Sequence, residues 1–559
     1  METLLASSAV DYTPFWILAA GVVFVIASIV KLRLHPFLGL TLGAILVGLL
    51  TPSLPGVASR KQAAFKSELT QENQLFSTNP AEPDANQSAK LEKLKIGGDG
   101  DLLGQNHLGK AVKQAMIGFG NLVGGIGFVI AMAAIIGMCM MESGAADKIV
   151  RRLMASLGED RAAWAMLISG FVLSIPVFFD TVFFLIIPLA RALALRTGKN
   201  YTLYVCAVAG AGAITHTIVP PTPGPLTIAE YLGQPAGNAI IAGLLAAIIP
   251  VAIVMWLAKR FNDKYDIPLR ETKGASLADL EKIVNKDEKE LPGFGISLMP
   301  VILPVVLISA VTFMGLAAKF GVTVPDGFKS IMEFIGNKNI AMFIAAVIAM
   351  YTLAKQRGWT LEKLGDSMGS PLETAGVIIL ITGAGGAFGH MIKLTGIANT
   401  IKSIGVDEGS SAMMLFMAWL LTAVIRAAQG SATVAMITGS GIMAGIVTSG
   451  AVDCHPIYFC LAIGFGAFPL SWMNDSGFWV VQRMSGFTEK ETLKTWTVML
   501  TAIGVAGIIQ VMVMATVFPM KQSGTADGES DGNKTAAKVS LVPASASLEN
   551  PQPQPRPQK

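Results

Sequence analysis

The chain has 559 residues, 52% of them apolar and only 14% charged, with a net charge of +4 and a mean hydropathy of +0.57. A soluble domain carries about 25% charged residues, and the stretches 114–141, 231–258, 292–318, 427–452 and 495–520 hold no charge at all. Each exceeds the roughly 20 apolar residues that cross a bilayer as a helix. This excludes an ordinary soluble enzyme, a secreted disulfide scaffold and a disordered protein, and leaves an all-α polytopic membrane protein with no reason to bind nucleic acid.

In chain order, apolar windows predict helices at about 12–30, 36–50, 117–141, 236–258, 296–318, 339–354, 374–392 and 497–518. The runs 162–195, 201–232, 411–448 and 455–482 are apolar too, but Pro, Gly or a charge interrupts each near its middle. The organisation expected is N-terminal helices (1–50), a polar extramembrane insert (51–110), a first transport repeat (111–258), a cytoplasmic loop (259–295), linking and scaffold helices (296–370), a second repeat (371–518) and a disordered tail (519–559) that is too poor in apolar residues to offset chain entropy. Lys31, Arg33, Arg151, Arg152, Arg161, Arg191, Arg196, Lys199, Lys259, Arg260 and Lys264 lie near helix ends and assign those ends to the cytoplasm. The run 162–190 is basic at both ends and broken at SIPVFFD, which fits a re-entrant hairpin, with one long crossing helix as the alternative. About 10 transmembrane helices plus two hairpins follow, or 12 to 14 spans if the hairpins cross.

ESGAADKI (142–149) resembles LTGIANTI (394–401), and YVCAVAGAGA (204–213) resembles YFCLAIGFGA (458–467), at nearly constant offset. Between these anchors the break SIPVFFDTVFF aligns with RAAQGSATVAM, and beyond them THTIVPPTPGP aligns with PLSWMNDSGF. With an external N-terminus the first copy begins inward and the second outward, so the repeats are inverted, an arrangement of secondary transporters whose sites form where broken helices meet. Cys139, Cys206, Cys454 and Cys460 form no CxxC pair and read as small buried residues rather than metal ligands.

Ionisable groups within apolar segments are costly and face the protein interior or a wet cavity. Asp180, His216, Arg426 and Asp475 each sit at or beside one of the four breaks, with Gln429, Ser431, Thr433 and Asn474 beside them. A fixed Arg and helix N-termini suit a carboxylate, and neighbouring hydroxyls and amides suit a polyhydroxylated one. Arg426 could instead form an internal ion pair with Asp180 or Asp475. Asp180 and Asp475 are candidates for proton carriage or for helix capping, His216 for titration or for a buried hydrogen bond, and Glu142 for capping a helix at the interface. His390 reads as structural. Arg426→Ala and Asp180→Asn are expected to abolish transport and leave the fold intact. Neither a Walker A motif nor HExxH or GxSxG in context is present, so neither ATP-driven transport by this chain nor an enzyme is expected.

The stretches ESGAADKI, IPVFFDTVFFLIIPL, THTIVPPTPGPLTIA, GAGGAFGHMI, AVIRAAQGSATVAMITGSGI and MNDSGFWVVQ followed by TLKTWTV, spread over about 110–515, closely resemble the gluconate:H+ symporter (GntP) family of bacterial permeases. The resemblance implies a multi-pass inner-membrane importer of gluconate or a related hydroxylated carboxylate, driven by a proton gradient and needing no cofactor. It implies a distant likeness to the ion transporter superfamily, with paired hairpins, elevator-like access and a homodimer. It implies Thr222 and Gly224 as substrate-binding residues beside Arg426, Gln429, Ser431, Thr433 and Asn474, and Asp180, Asp475 and His216 in proton coupling. Departures are Thr222 where the family's PPHPGP has a second histidine, Asp180 where Glu is common, and Ser476 where NDPGFW has proline. These leave open another small organic anion or an amino acid as solute, and Na+ as coupling ion.

Overall fold

In a computed structural model the described residues are 11–55, 106–265, 267–270, 290–319, 324–397, 410–448 and 454–520, with the single positions 322, 400 and 452. Most of the polar insert and the tail lie outside them. Every regular element within them is a helix. The first two are α1 (Thr13–Val30) and α2 (Pro36–Leu50), each with a proline in its first turn, where the missing N–H costs nothing. Then comes α3 (His107–Ser143), which Asn106 caps by accepting from Gly109 N at 2.6 Å. It starts ten residues before the expected 117, inside the stretch assigned to the insert. Lys110 and Lys113 end an apolar window but are good helix formers, so the end of that window does not mark the helix start.

The broken runs break where expected. The run 162–195 gives α5 (Ala162–Leu173) and α6 (Phe179–Thr197), preceded by α4 (Ala145–Leu157). The run 201–232 gives α7 (Tyr201–Ile218) and α8 (Pro223–Tyr231). The run 411–448 gives α16 (Ser410–Gln429) and α17 (Ala432–Val447), and 455–482 gives α18 (Pro456–Gly466) and α19 (Ser476–Ser485). At 12 residues α5 is about 18 Å long, too short to cross the ~30 Å hydrocarbon layer alone.

The helix expected at 236–258 is divided at Ala247 into α9 (Ala236–Ala246) and α10 (Ile248–Tyr265). Pro250 explains the division, because it has no N–H for the Ala246 carbonyl and its ring crowds that oxygen. Gln510 Nε2 supplies the missing donor at 3.1 Å. Between the two sets lie α11 (Phe294–Lys319), α12 (Asp326–Ile335), α13 (Lys338–Arg357) and α14 (Leu361–Ser367), followed by α15 (Gly369–Leu394). The last helix, α20 (Glu489–Val517), contains a π-turn at Leu493–Thr497. Among the described residues eight helical stretches are long and apolar enough to cross a membrane.

Packing is reciprocal between the two sets. Helix α8 lies on α17 and α19 lies on α6, α10 flanks α7 as α20 flanks α18, and α3 runs along α15. At the α3–α15 crossing the backbones nearly touch. A Cβ on Gly118 would stand 2.7 Å from Gly386 O, and one on Gly386 would stand 2.7 Å from Gly118 O. Small residues permit this approach, which gives membrane helices the contact area that hydrophobic exclusion cannot supply within lipid.

Candidate functional site

Three of the four breaks, together with the last turn of α7 that leads into the remaining one, converge on one cavity of about 300 Å³. Asp180 lies in the first turn of α6 and lines it with Thr181, and among the described residues its carboxylate has no ion-pair partner. His216 lines it from the last turn of α7, its Nδ1 buried with no hydrogen-bond partner among the described residues and its ring edge-on to Phe178 at 6.4 Å. Ser431 caps α17 by accepting from Val434 N at 3.3 Å, and Ser431 and Thr433 both face the cavity. Thr374, Ile378 and Ile381 of α15 complete the wall. The N-terminal turns of α6, α17 and α19 therefore meet at a single space. Unsatisfied N–H groups and the helix dipole make each such end favourable to an anion.

Arg426 and Asp475 are both buried and form the centre of the site. Arg426 Nη2 donates to Asp475 Oδ2 at 2.5 Å, Nε donates to Ala467 O at 3.0 Å, and Nη1 donates to Gly430 O. Three of the five guanidinium donors thus stitch the end of α16, its break and the end of α18 together. Asp475 also caps α19, its Oδ1 accepting from Gly477 N at 3.0 Å, while Oδ2 accepts a second bond from Ser471 Oγ. The internal ion pair and the helix cap are thus both present, in one carboxylate. Gly430 holds φ at +87°, and a Cβ there would stand 2.0 Å from Asn474 O, so only glycine fits between the two breaks.

Four proposed substrate-binding residues are turned elsewhere. Thr222 Oγ1 donates to Val219 O at 2.8 Å and to His216 O at 3.1 Å, covering carbonyls whose helical partners would be the N–H groups that Pro223 and Pro220 lack. Gly224 packs against Met436. Asn474 Nδ2 donates to Ala427 O at 2.7 Å, and Gln429 Nε2 to Ser431 O at 3.3 Å. Away from the cavity, His390 Nε2 pairs with Gln114 Oε1 at 3.0 Å, and Glu142 takes Arg357 rather than capping its helix, with Arg357 Nε on its carbonyl at 2.8 Å. All four cysteines are buried and unbridged. Among the described residues no three His, Cys, Asp or Glu side chains gather as a metal set.

Other lining residues, Trp496 of TLKTWTV among them, were not among the expected site residues. Trp496 sits in the π-turn, lines the cavity, stacks on Phe179 at 5.3 Å and donates from Nε1 to Ser471 Oγ at 2.7 Å. π-turns collect at functional sites because they re-aim a side chain without ending the helix. Along α6 a narrow apolar seam, lined by Thr181, Val182 and Leu185 opposite Gly137, Met140 and Met141, shares Thr181 with the central cavity and Leu185 and Met141 with a second cavity of about 480 Å³, a vestibule. That vestibule is polar, bordered by Glu142, Asp147, Glu290 and Arg357.

A profile of GntP family permeases matches residues 102–517. A gluconate permease of Pseudomonas aeruginosa is 36% identical over 73% of this chain and 88% of its own length. The Gnt-II system L-idonate transporter of Escherichia coli is 31% identical over 72% of this chain and 88% of its own. Among solved structures, Neisseria gonorrhoeae MtrF, described as illuminating a class of antimetabolite efflux pumps, shares the fold with a TM-score of 0.50 at 14% identity, covering 83% of this chain and 95% of its own. The match spans both sets of broken helices and every residue of the central cavity, and the chain belongs to the GntP family of permeases.

Proposed function

We propose that this multi-pass permease imports gluconate or a related small hydroxylated carboxylate across the bacterial inner membrane by proton symport. The observation that carries the proposal is the meeting of three helix N-termini and Arg426 at one cavity. Two guanidinium N–H groups remain for a carboxylate once the three bonds to the chain are counted. The hydroxyls of Thr181, Thr217, Thr374, Ser431 and Thr433 border the rest of the cavity, where a polyol chain would lie. The relatives' names point to the same solute class.

Coupling follows from charge. Arg426 neutralises Asp475, and Asp180 adds a second carboxylate to the same cavity. An entering anion would meet two negative groups against one guanidinium, in surroundings of low dielectric. A proton on Asp180 removes the excess, so proton and solute each favour the binding of the other. Asp180 is therefore assigned as proton carrier, and Asp475, held by three donors, as the partner of the clamp.

The test is uptake of radiolabelled gluconate into proteoliposomes under an inward proton gradient, with competition by sugar acids, hydroxy acids and amino acids. Accumulation that collapses when the gradient is dissipated, and that sugar acids compete away, is expected. Uptake that requires Na+ and ignores pH overturns the proton assignment, and competition by amino acids alone overturns the solute class.

A further inference from the structure

Resting on that function, we infer that Ser471 and Trp496 are positioning residues that receive Asp475 when a solute carboxylate takes its place on Arg426. Asp475 Oδ2 accepts from Arg426 Nη2 and from Ser471 Oγ together, with Oδ1 on Gly477 N. A solute carboxylate on the free N–H groups of both terminal nitrogens would share Nη2 with Asp475 Oδ2, and repulsion between two carboxylates at one nitrogen favours release of Asp475 from it. Once displaced, the buried carboxylate keeps Ser471 and Gly477 N as its donors, and without them it would be stranded in a medium where an unsatisfied charge is costly.

Ser471 favours the displaced state for an electrostatic reason. A hydroxyl that donates to an oxygen already neutralised by a guanidinium gains less than one donating to the same oxygen alone. Its bond to Asp475 therefore strengthens as Arg426 is released. Trp496 Nε1 occupies the acceptor side of Ser471 Oγ, which directs the serine proton toward Asp475 and polarises it. Thr497 Oγ1 donates to Ser471 O and fixes the serine backbone to the same π-turn. The Trp496 ring is itself held on Phe179, the residue before Asp180. The proton carrier and the clamp thus share one aromatic joint.

The experiment measures KM and Vmax of gluconate uptake by the full chain in proteoliposomes. Ser471→Ala is expected to raise KM by about tenfold, the size of one hydrogen bond to a charged group, with Vmax within about twofold. Ser471→Thr, which keeps the hydroxyl, restores KM. Trp496→Phe keeps a ring on Phe179 but loses the N–H, and raises KM by about threefold. The double variant matches Ser471→Ala alone, because the indole acts only through the serine. A fall in Vmax with KM unchanged, or additive effects of the two changes, overturns the inference. If Ser471→Ala does not reach the membrane, the KM of Trp496→Phe decides. Native vesicles that accumulate no carboxylate defeat the proposed function itself, whereas native uptake with unaltered KM in the variants defeats only this inference.

Discussion

Arg426 and Asp475 meet at 2.5 Å with both side chains sealed inside the protein, and each is also bonded to backbone from a different helix end. Removing one partner of such a pair strands the other charge, at a cost of about 3–5 kcal/mol. Arg426→Ala is therefore expected to destabilise the protein as well as abolish uptake, contrary to the sequence-based expectation of an intact fold. Arg426→Lys keeps the charge and loses the planar fork, so uptake should fall by tenfold or more (about 1.4 kcal/mol) while the melting temperature in detergent moves far less than for alanine.

Asp180→Asn removes a titratable group that has no ion-pair partner among the described residues, at the start of a helix whose dipole tolerates a neutral amide. Thermal stability should stay near native. Gradient-driven accumulation should be lost, while solute exchange across vesicles loaded on both sides persists. Exchange lost together with accumulation would place Asp180 in solute binding instead.

Gly430→Ala asks for a left-handed backbone and a Cβ 2.0 Å from the Asn474 carbonyl. That oxygen belongs to backbone, so it cannot step aside as a side-chain tip would. Loss of uptake and a stability decrease of about 1–3 kcal/mol or more are expected from denaturation in detergent.

Gly137 faces Val177 across the seam between the cavity and the vestibule, and a Cβ there would stand 3.1 Å from Val177 Cγ1. Gly137→Leu should plug the seam without touching the solute cavity. Gluconate should still raise the melting temperature of the purified variant, while its uptake rate drops at least about tenfold if the seam is on the route. An unchanged rate would place the route elsewhere.

All four breaks were legible in the sequence, because Pro, Gly or an ionisable residue inside an apolar run has few physical explanations in a membrane. The roles of the polar residues at those breaks were less legible. A broken helix leaves carbonyls and N–H groups that need partners, and a threonine or asparagine beside the break serves that need as readily as it serves a solute. Thr222 and Asn474 close backbone groups, whereas Ser431 and Thr433 face the cavity. Trp496 was hidden for another reason. A tryptophan in an apolar helix reads as a lipid-facing or core residue, and a π-turn has no compositional signature. The division of α9 from α10 could have been found from Pro250, but its partner Gln510, 264 residues away, could not.

A π-turn inserts one residue into a helical turn, so the two ends of α20 are out of step by one position. A regular α-turn in its place would step the residues after it by about 100° around the axis relative to those before it, so the stacking of Trp496 on Phe179 and its bond to Ser471 both depend on that one-residue insertion.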